Sequence, residues 1–141
     1  MKRNAFIAVL LASVLGGSGP GVLADEGVAV IANLVVHSLD ADTLKRIYTG
    51  RVIELDGQVL RPVNLVAGHP LRRRFLASML QQEEDNYLAY WTVRRYIGKG
   101  APPRELATTA EVLEFVRRTP GALGYVDAAE VGPGVSVMLR K

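Results

Sequence analysis

A helical period that stops at a proline and turns straight into a strand-length apolar run most constrains how this chain can fold. Thr108-Thr109-Ala110-Glu111 has capping-box spacing, in which a hydroxyl and a carboxylate answer the first free amides of a helix. Val112, Phe115 and Val116 then fall on one helical face. Pro120 has no N–H to donate and drives Thr119 out of helical geometry. Gly121 permits a reversal, and residues 122–126 form an apolar run of strand length. Helix, tight turn and buried strand in that order are the unit of layered α/β domains.

The same alternation runs through the rest of the chain. Residues 28–36 are apolar and rich in β-branched side chains, which predicts a buried strand. Asp40 is placed to cap a helix over 41–48, with Leu39 and Leu44 as its hydrophobic staple. Leu44, Ile47 and Tyr48 give that helix one apolar face, and Gly50 ends it. Asp56-Gly57 predicts a turn, followed by a strand over 59–66. Pro70 suits a first helical position, and Leu71, Phe75, Leu76, Met79 and Leu80 make a core stripe for a helix over 70–81. A further helix over 85–97 stops at Gly98-Lys99-Gly100, with Pro102-Pro103 as a rigid loop, and a last strand covers 135–139.

Residues 1–24 have the form of a secretory signal peptide. Lys2 and Arg3 precede an uncharged apolar run, and Val22-Leu23-Ala24 fits a small-residue cleavage site. The run is broken at Gly16-Gly17, short of the roughly 20 apolar residues a membrane span needs. The expectation is an exported protein without a membrane span after cleavage, periplasmic in a cell with two membranes. Residues 25–141, which number 117 once 24 are taken from 141, suffice for a single domain. Loss of Lys2 and Arg3 leaves 15 of the 17 basic residues against 14 acidic ones, so nucleic acid is not an expected partner. The chain has no cysteine, which excludes disulfides, thiolate metal sites and cysteine nucleophiles.

Four pieces of the chain resemble the phosphate-type substrate-binding proteins of bacterial ABC transporters, in that family's order. They are Leu44 through Ile47-Tyr48-Thr49-Gly50-Arg51, then Asp56-Gly57, then Arg72 with Phe75, and finally Trp91 through Gly98-Lys99-Gly100, Pro102-Pro103 and Thr119 to Val126. Where the family places a tryptophan shortly before its turn, Glu54 and Leu55 stand here. The resemblance implies one periplasmic-binding-protein-like α/β lobe, a mixed central sheet flanked by about four helices. Full-length members are clamshells of two such lobes that hold an oxyanion between them, and this chain is long enough for one. Where the family offers a Ser-Gly-Thr loop, this chain reads Ala67-Gly68-His69-Pro70-Leu71, without a hydroxyl.

The residues point to one candidate site, the helix start at Pro70. Free backbone amides and the positive dipole end favour an anion there, while three arginines crowd the same turn. On a helical wheel Arg72 falls between Leu76 and Met79, and Arg73 and Arg74 point progressively away. Arg72 is therefore the expected ligand residue, its fork suited to phosphate, sulfate or a carboxylate. His69 and Gly68 complete the expected set, with the alternatives that His69 is a plain loop residue and that Arg72 lays its stem on the core. Tyr87, Tyr90, Trp91 and Arg94 share a helical strip that reads more readily as core than as a ligand surface.

No Gly-x-Ser-x-Gly elbow, Walker loop or dinucleotide fingerprint is present, and two distant histidines make no metal signature. Neither an enzyme nor a cofactor or metal is expected. The resemblance implies an exported protein that binds a small phosphate-like oxyanion weakly or within an assembly, and serves a transporter or sensor. The alternative is a periplasmic interaction module that kept the lobe and lost the ligand. Whether a homodimer rebuilds the cleft is left open by the sequence.

Overall fold

A computed structural model describes residues 27–141 of the chain, so the leader expected at 1–24 lies outside the described residues. Strand β1 covers Val28–Ala32, and all five of its residues are buried. Helix α1, Ala41–Tyr48, starts at Asp40, whose carboxylate accepts from the Thr43 amide at 2.6 Å. Leu39 and Leu44 are both buried, as a staple requires. A small hairpin pairs β2, Glu54–Leu55, with β3, Gln58–Val59, around Asp56-Gly57. Strand β4 follows at Arg61–Leu65.

Helix α2 spans Pro70–Phe75 and widens into a π turn over Leu76–Leu80 before Gln81 closes it at φ 51°. Helix α3 is Glu84–Tyr96, β5 is Arg104–Leu106, and α4 is Thr109–Arg118. Strand β6, Ala122–Asp127, a 3-10 turn at Ala128–Glu130, and β7, Ser136–Arg140, complete the chain. The Thr108 hydroxyl accepts from Glu111 N at 3.2 Å, while the Glu111 carboxylate accepts from Ala107 N at 2.9 Å. The carboxylate thus reaches one residue further back than a strict capping box.

The five main strands form one mixed sheet in the order β5-β4-β6-β1-β7. β1 runs antiparallel to both β6 and β7, while β4 runs parallel to β6 and to β5. Adjacent residues of β6 show how both faces are covered, because successive side chains point to opposite sides. A Cβ on Gly124 would lie 2.6 Å from Val112 Cγ1, so α4 sits tightly on one face. Tyr125 stacks on Phe75 of α2 with centroids 3.9 Å apart, and Tyr48 of α1 meets the edge of Phe75 at 4.8 Å. Burial on both faces explains why β1 reads as a continuous apolar run.

Several boundaries differ from the sequence reading for physical reasons. The strand expected over 28–36 ends at Ala32, where Asn33 turns to bond the backbone of Ala122 and Gly121. The strand expected over 59–66 breaks at Leu60, which is buried while its amide pairs back to Ile53 O. The helix over 70–81 changes pitch at Leu76, and the wider turn keeps Leu76, Met79 and Leu80 all buried. No helix among the described residues is long and apolar enough to cross a membrane.

Candidate functional site

Arg72 stands in the first turn of α2 and is 1% exposed, the largest of the fully buried side chains. Its Nε lies 2.9 Å from Glu84 Oε1 and donates to Oε2 at 3.0 Å. Nη1 donates to the Leu65 carbonyl at 2.8 Å and lies 3.5 Å from Glu105 Oε1. The guanidinium also faces the Tyr87 ring at 5.6 Å. One side chain therefore ties α2 to the start of α3, the end of β4 and the middle of β5. A buried charge needs such partners, because desolvation would otherwise outweigh the gain from packing.

Beside Arg72 lies a buried polar network. The Tyr125 hydroxyl donates to Asn64 Oδ1 and accepts from Leu65 N at 3.0 Å. Asn64 Nδ2 donates to the Tyr87 hydroxyl at 3.4 Å, and that hydroxyl donates to Tyr48 O at 3.0 Å. The Tyr48 hydroxyl donates to Val63 O at 2.8 Å. Burial pushes the Tyr87 phenol up to about 12, moderated by the Trp91 indole and the Arg72 charge. Tyr48 and Tyr125 are pushed up as well, again chiefly by burial. All three phenols keep their protons at neutral pH and serve as donors.

A concavity of about 190 Å³ opens over this network, lined among others by Asn64, Arg72, Tyr87, Trp91, Arg95 and Glu105. Trp91 forms one wall, its ring set against Gly50 at the end of α1, where φ is 72°. The Trp91 Nε1–H is buried without a hydrogen bond of proper geometry. Arg94 is held elsewhere, donating weakly to Gly50 O and Lys99 O while facing the Tyr90 and Trp91 rings. Arg95 makes no ion pair or hydrogen bond through its side chain among the described residues.

The three expected site residues are placed differently. Arg72 lines the concavity; Gly68 and His69 do not. His69 turns its Nδ1 inward to accept from the Leu71 amide at 3.1 Å, capping α2. Gly68, at φ 87°, supplies the left-handed turn before it, with open space where a Cβ would project. Arg73 is exposed, and Arg74 pairs with Asp127 at 3.3 Å, so the three arginines diverge as the helical wheel indicates. Tyr87 and Trp91 are core residues on one face of α3. Sequence reasoning misses Asn64 and Glu105, and it reads Glu84 only as part of the acidic run Glu83-Glu84-Asp85, a solvated helix junction; the one signal for Asn64 is a lone amide between Val63 and Leu65. No cluster of three or more potential metal ligands occurs among the described residues.

Comparison with solved structures defines the class of fold. The chain matches an ABC-type phosphate transport receptor from Vibrio cholerae with a TM-score of 0.62 and 18% identity, over 79% of this chain and 45% of that one. It matches a protein from Clostridium perfringens, described as a phosphate ABC transporter substrate-binding protein with bound phosphate, with a TM-score of 0.56 and 19% identity. That match spans 79% of this chain and 44% of the Clostridium chain. No protein-family model and no curated protein matches the sequence. The fold is that of a periplasmic-binding-protein-like α/β lobe, and the chain spans less than half the length of either receptor.

Proposed function

We propose that residues 25–141 form a single exported receptor lobe for a small oxyanion of the phosphate kind, serving a transporter or sensor and working within an assembly. The observation that carries this reading is a guanidinium, 1% exposed and fixed by three partners, on the wall of an open concavity. A charge held rigid before the ligand arrives spends little entropy on binding. His69 does not line the concavity and belongs to the reading only through Nε2 at the helix start: with Nδ1 accepting from Leu71 N, the neutral ring carries its proton on Nε2 and can donate it to an anion there. Gly68 belongs to it as a backbone that an anion can approach without meeting a side chain. Binding is weak in this reading, because Glu84 and Glu105 already answer the Arg72 charge and no hydroxyl loop stands at the helix start.

Isothermal calorimetry with phosphate and with sulfate, run beside a sizing measurement, tests it. Saturable heat with a dissociation constant in the micromolar to millimolar range is expected. No heat at tens of millimolar of either anion, nor of an organic phosphonate, overturns it.

The second reading is a periplasmic interaction module that kept the lobe and lost the ligand. It is favoured by the two carboxylates on Arg72 and by the outer face of α3, where Leu88, Val93 and Tyr96 are exposed and Ile97 continues the strip. A chain of this kind buries that strip against a partner or a second copy. A silent calorimeter with a dimer on the sizing column selects it.

A further inference from the structure

We infer that the oxyanion of this concavity arrives on an apolar body, as an aryl or alkyl phosphate, phosphonate or carboxylate, rather than as the bare inorganic ion. The inference rests on the oxyanion reading and names the ligand class for the same site. Its first support is the distribution of charge. Arg72 is engaged by two carboxylates and a carbonyl, which leaves Arg95 as the cation on the wall whose side chain has no partner among the described residues. The Thr92 hydroxyl is already donated to Leu88 O at 2.9 Å. A bare phosphate or sulfate, with donors wanted on every side, finds few here.

The second support lies next door. Another concavity, of about 240 Å³, shares Trp91, Pro102 and Pro103 with the first. Its remaining wall includes Ile47, Val52, Ile53 and Leu60, and no charged side chain lines it. A recess lined by charged side chains, one of them an unspent cation, thus adjoins one whose side chains are apolar apart from the shared indole N–H, with backbone polar atoms open between them and the indole and two prolines common to both. Ligand sites are generally built this way, from apolar walls and a few placed polar groups. The headgroup falls to Arg95 and the outward edge of Arg72, and the body runs over Trp91 beneath Pro102-Pro103 toward Ile53. An inorganic ion leaves the second recess unused.

Trp91 is the only tryptophan in the chain, so its fluorescence reports on this site alone. The protein is titrated with inorganic phosphate, phenylphosphonate and benzyl alcohol. Phenylphosphonate is expected to bind at least tenfold tighter than either of the others. Arg95→Ala, at an exposed position, is expected to weaken phenylphosphonate at least fivefold. Ile53→Ser, also at an exposed position, is expected to reduce the preference over phosphate to less than threefold. Equal affinity for phosphate and phenylphosphonate overturns the inference and leaves the oxyanion reading standing. Benzyl alcohol binding as tightly as phenylphosphonate, or no binding by any of the three, overturns both. Phenylphosphonate binding that neither substitution changes overturns the assigned site.

Discussion

The Arg72 guanidinium meets both oxygens of the Glu84 carboxylate, with Nε at 2.9 and 3.0 Å, and so joins the first turn of α2 to the first residue of α3. Loss of Arg72 would leave the Glu84 carboxylate without a charge partner, whereas Arg72 without Glu84 would keep Leu65 O and Glu105. Arg72 is 2% exposed at its side chain and Glu84 19%, so the pair is largely withdrawn from water.

Arg72→Ala is therefore expected to destabilise the fold as well as to weaken any anion binding. Breaking a buried ion pair by removing one partner costs roughly 3–5 kcal/mol, and the residual exposure of Glu84 puts this case near about 3 kcal/mol. Thermal unfolding should show a loss on the order of 10 °C. The double change Arg72→Met with Glu84→Gln should recover much of that loss, because the one carboxylate it leaves unpaired, Glu105, is 42% exposed and open to water. Equal melting temperatures for wild type and Arg72→Ala would show that the carboxylates relax into water.

Gly50 is expected to tolerate no side chain. It sits at φ 72°, and a Cβ would come within 2.7 Å of Trp91 Cη2. A left-handed backbone for a non-glycine residue costs about 1–3 kcal/mol before the clash is counted. Gly50→Ala should lower stability by about that amount in a denaturant melt and shift the Trp91 emission maximum. A mutant with unaltered emission would place the ring elsewhere.

The buried phenols set an alkaline limit. Tyr87 is raised to about 12, and Tyr48 and Tyr125 are raised as well. In the unfolded chain each titrates near about 10. A raised folded value means the native state holds its proton more tightly. Its contribution is thus complete below about pH 10 and is lost as pH rises toward the folded value. Melting temperature should stay level from pH 8 to about 9.5 and fall steeply above it. Tyr125→Phe should soften the fall, while a flat profile to pH 11 would contradict the burial of all three.

His69 is expected to matter to stability through one atom. Its Nδ1 accepts from Leu71 N, so His69→Ala should cost about 1 kcal/mol, as removal of other helix caps does. Asparagine can make the same bond, and His69→Asn should restore most of the loss in a chemical denaturation curve. Identical curves for both mutants would remove the cap.

Local signals in the chain were enough for most elements. Asp40 and Thr108 cap the helices they were expected to cap, and the stripe from Leu71 to Leu80 is buried throughout. These features depend on neighbours a few residues away, which periodicity and capping spacing can see. Strand β5 escaped notice because three residues of Arg-Glu-Leu carry no strand pattern, and pairing with β4 alone makes them a strand. The π turn escaped because its pitch is set by what Leu76, Met79 and Leu80 must reach.

The wall around Arg72 was half legible. Its inward angle on the wheel was correct, but the wheel cannot say what waits there. Glu84 is 12 residues on, and Glu105 comes from another element altogether. Asn64 was concealed by its surroundings, since an amide inside an apolar strand declares itself only once Tyr125 and Tyr87 close over it.

The sheet order also governs when the molecule can come into being. Among the described residues β1 comes first along the chain, and the two strands that flank it, β6 and β7, come last. Until β6 and β7 are in place, the wholly buried β1 has no strand to pair with. Pairings so distant along the chain form late. The sheet therefore stays open until strands from the two ends of the described chain meet, at the hazard of leaving a sticky ribbon exposed to aggregation in the meantime.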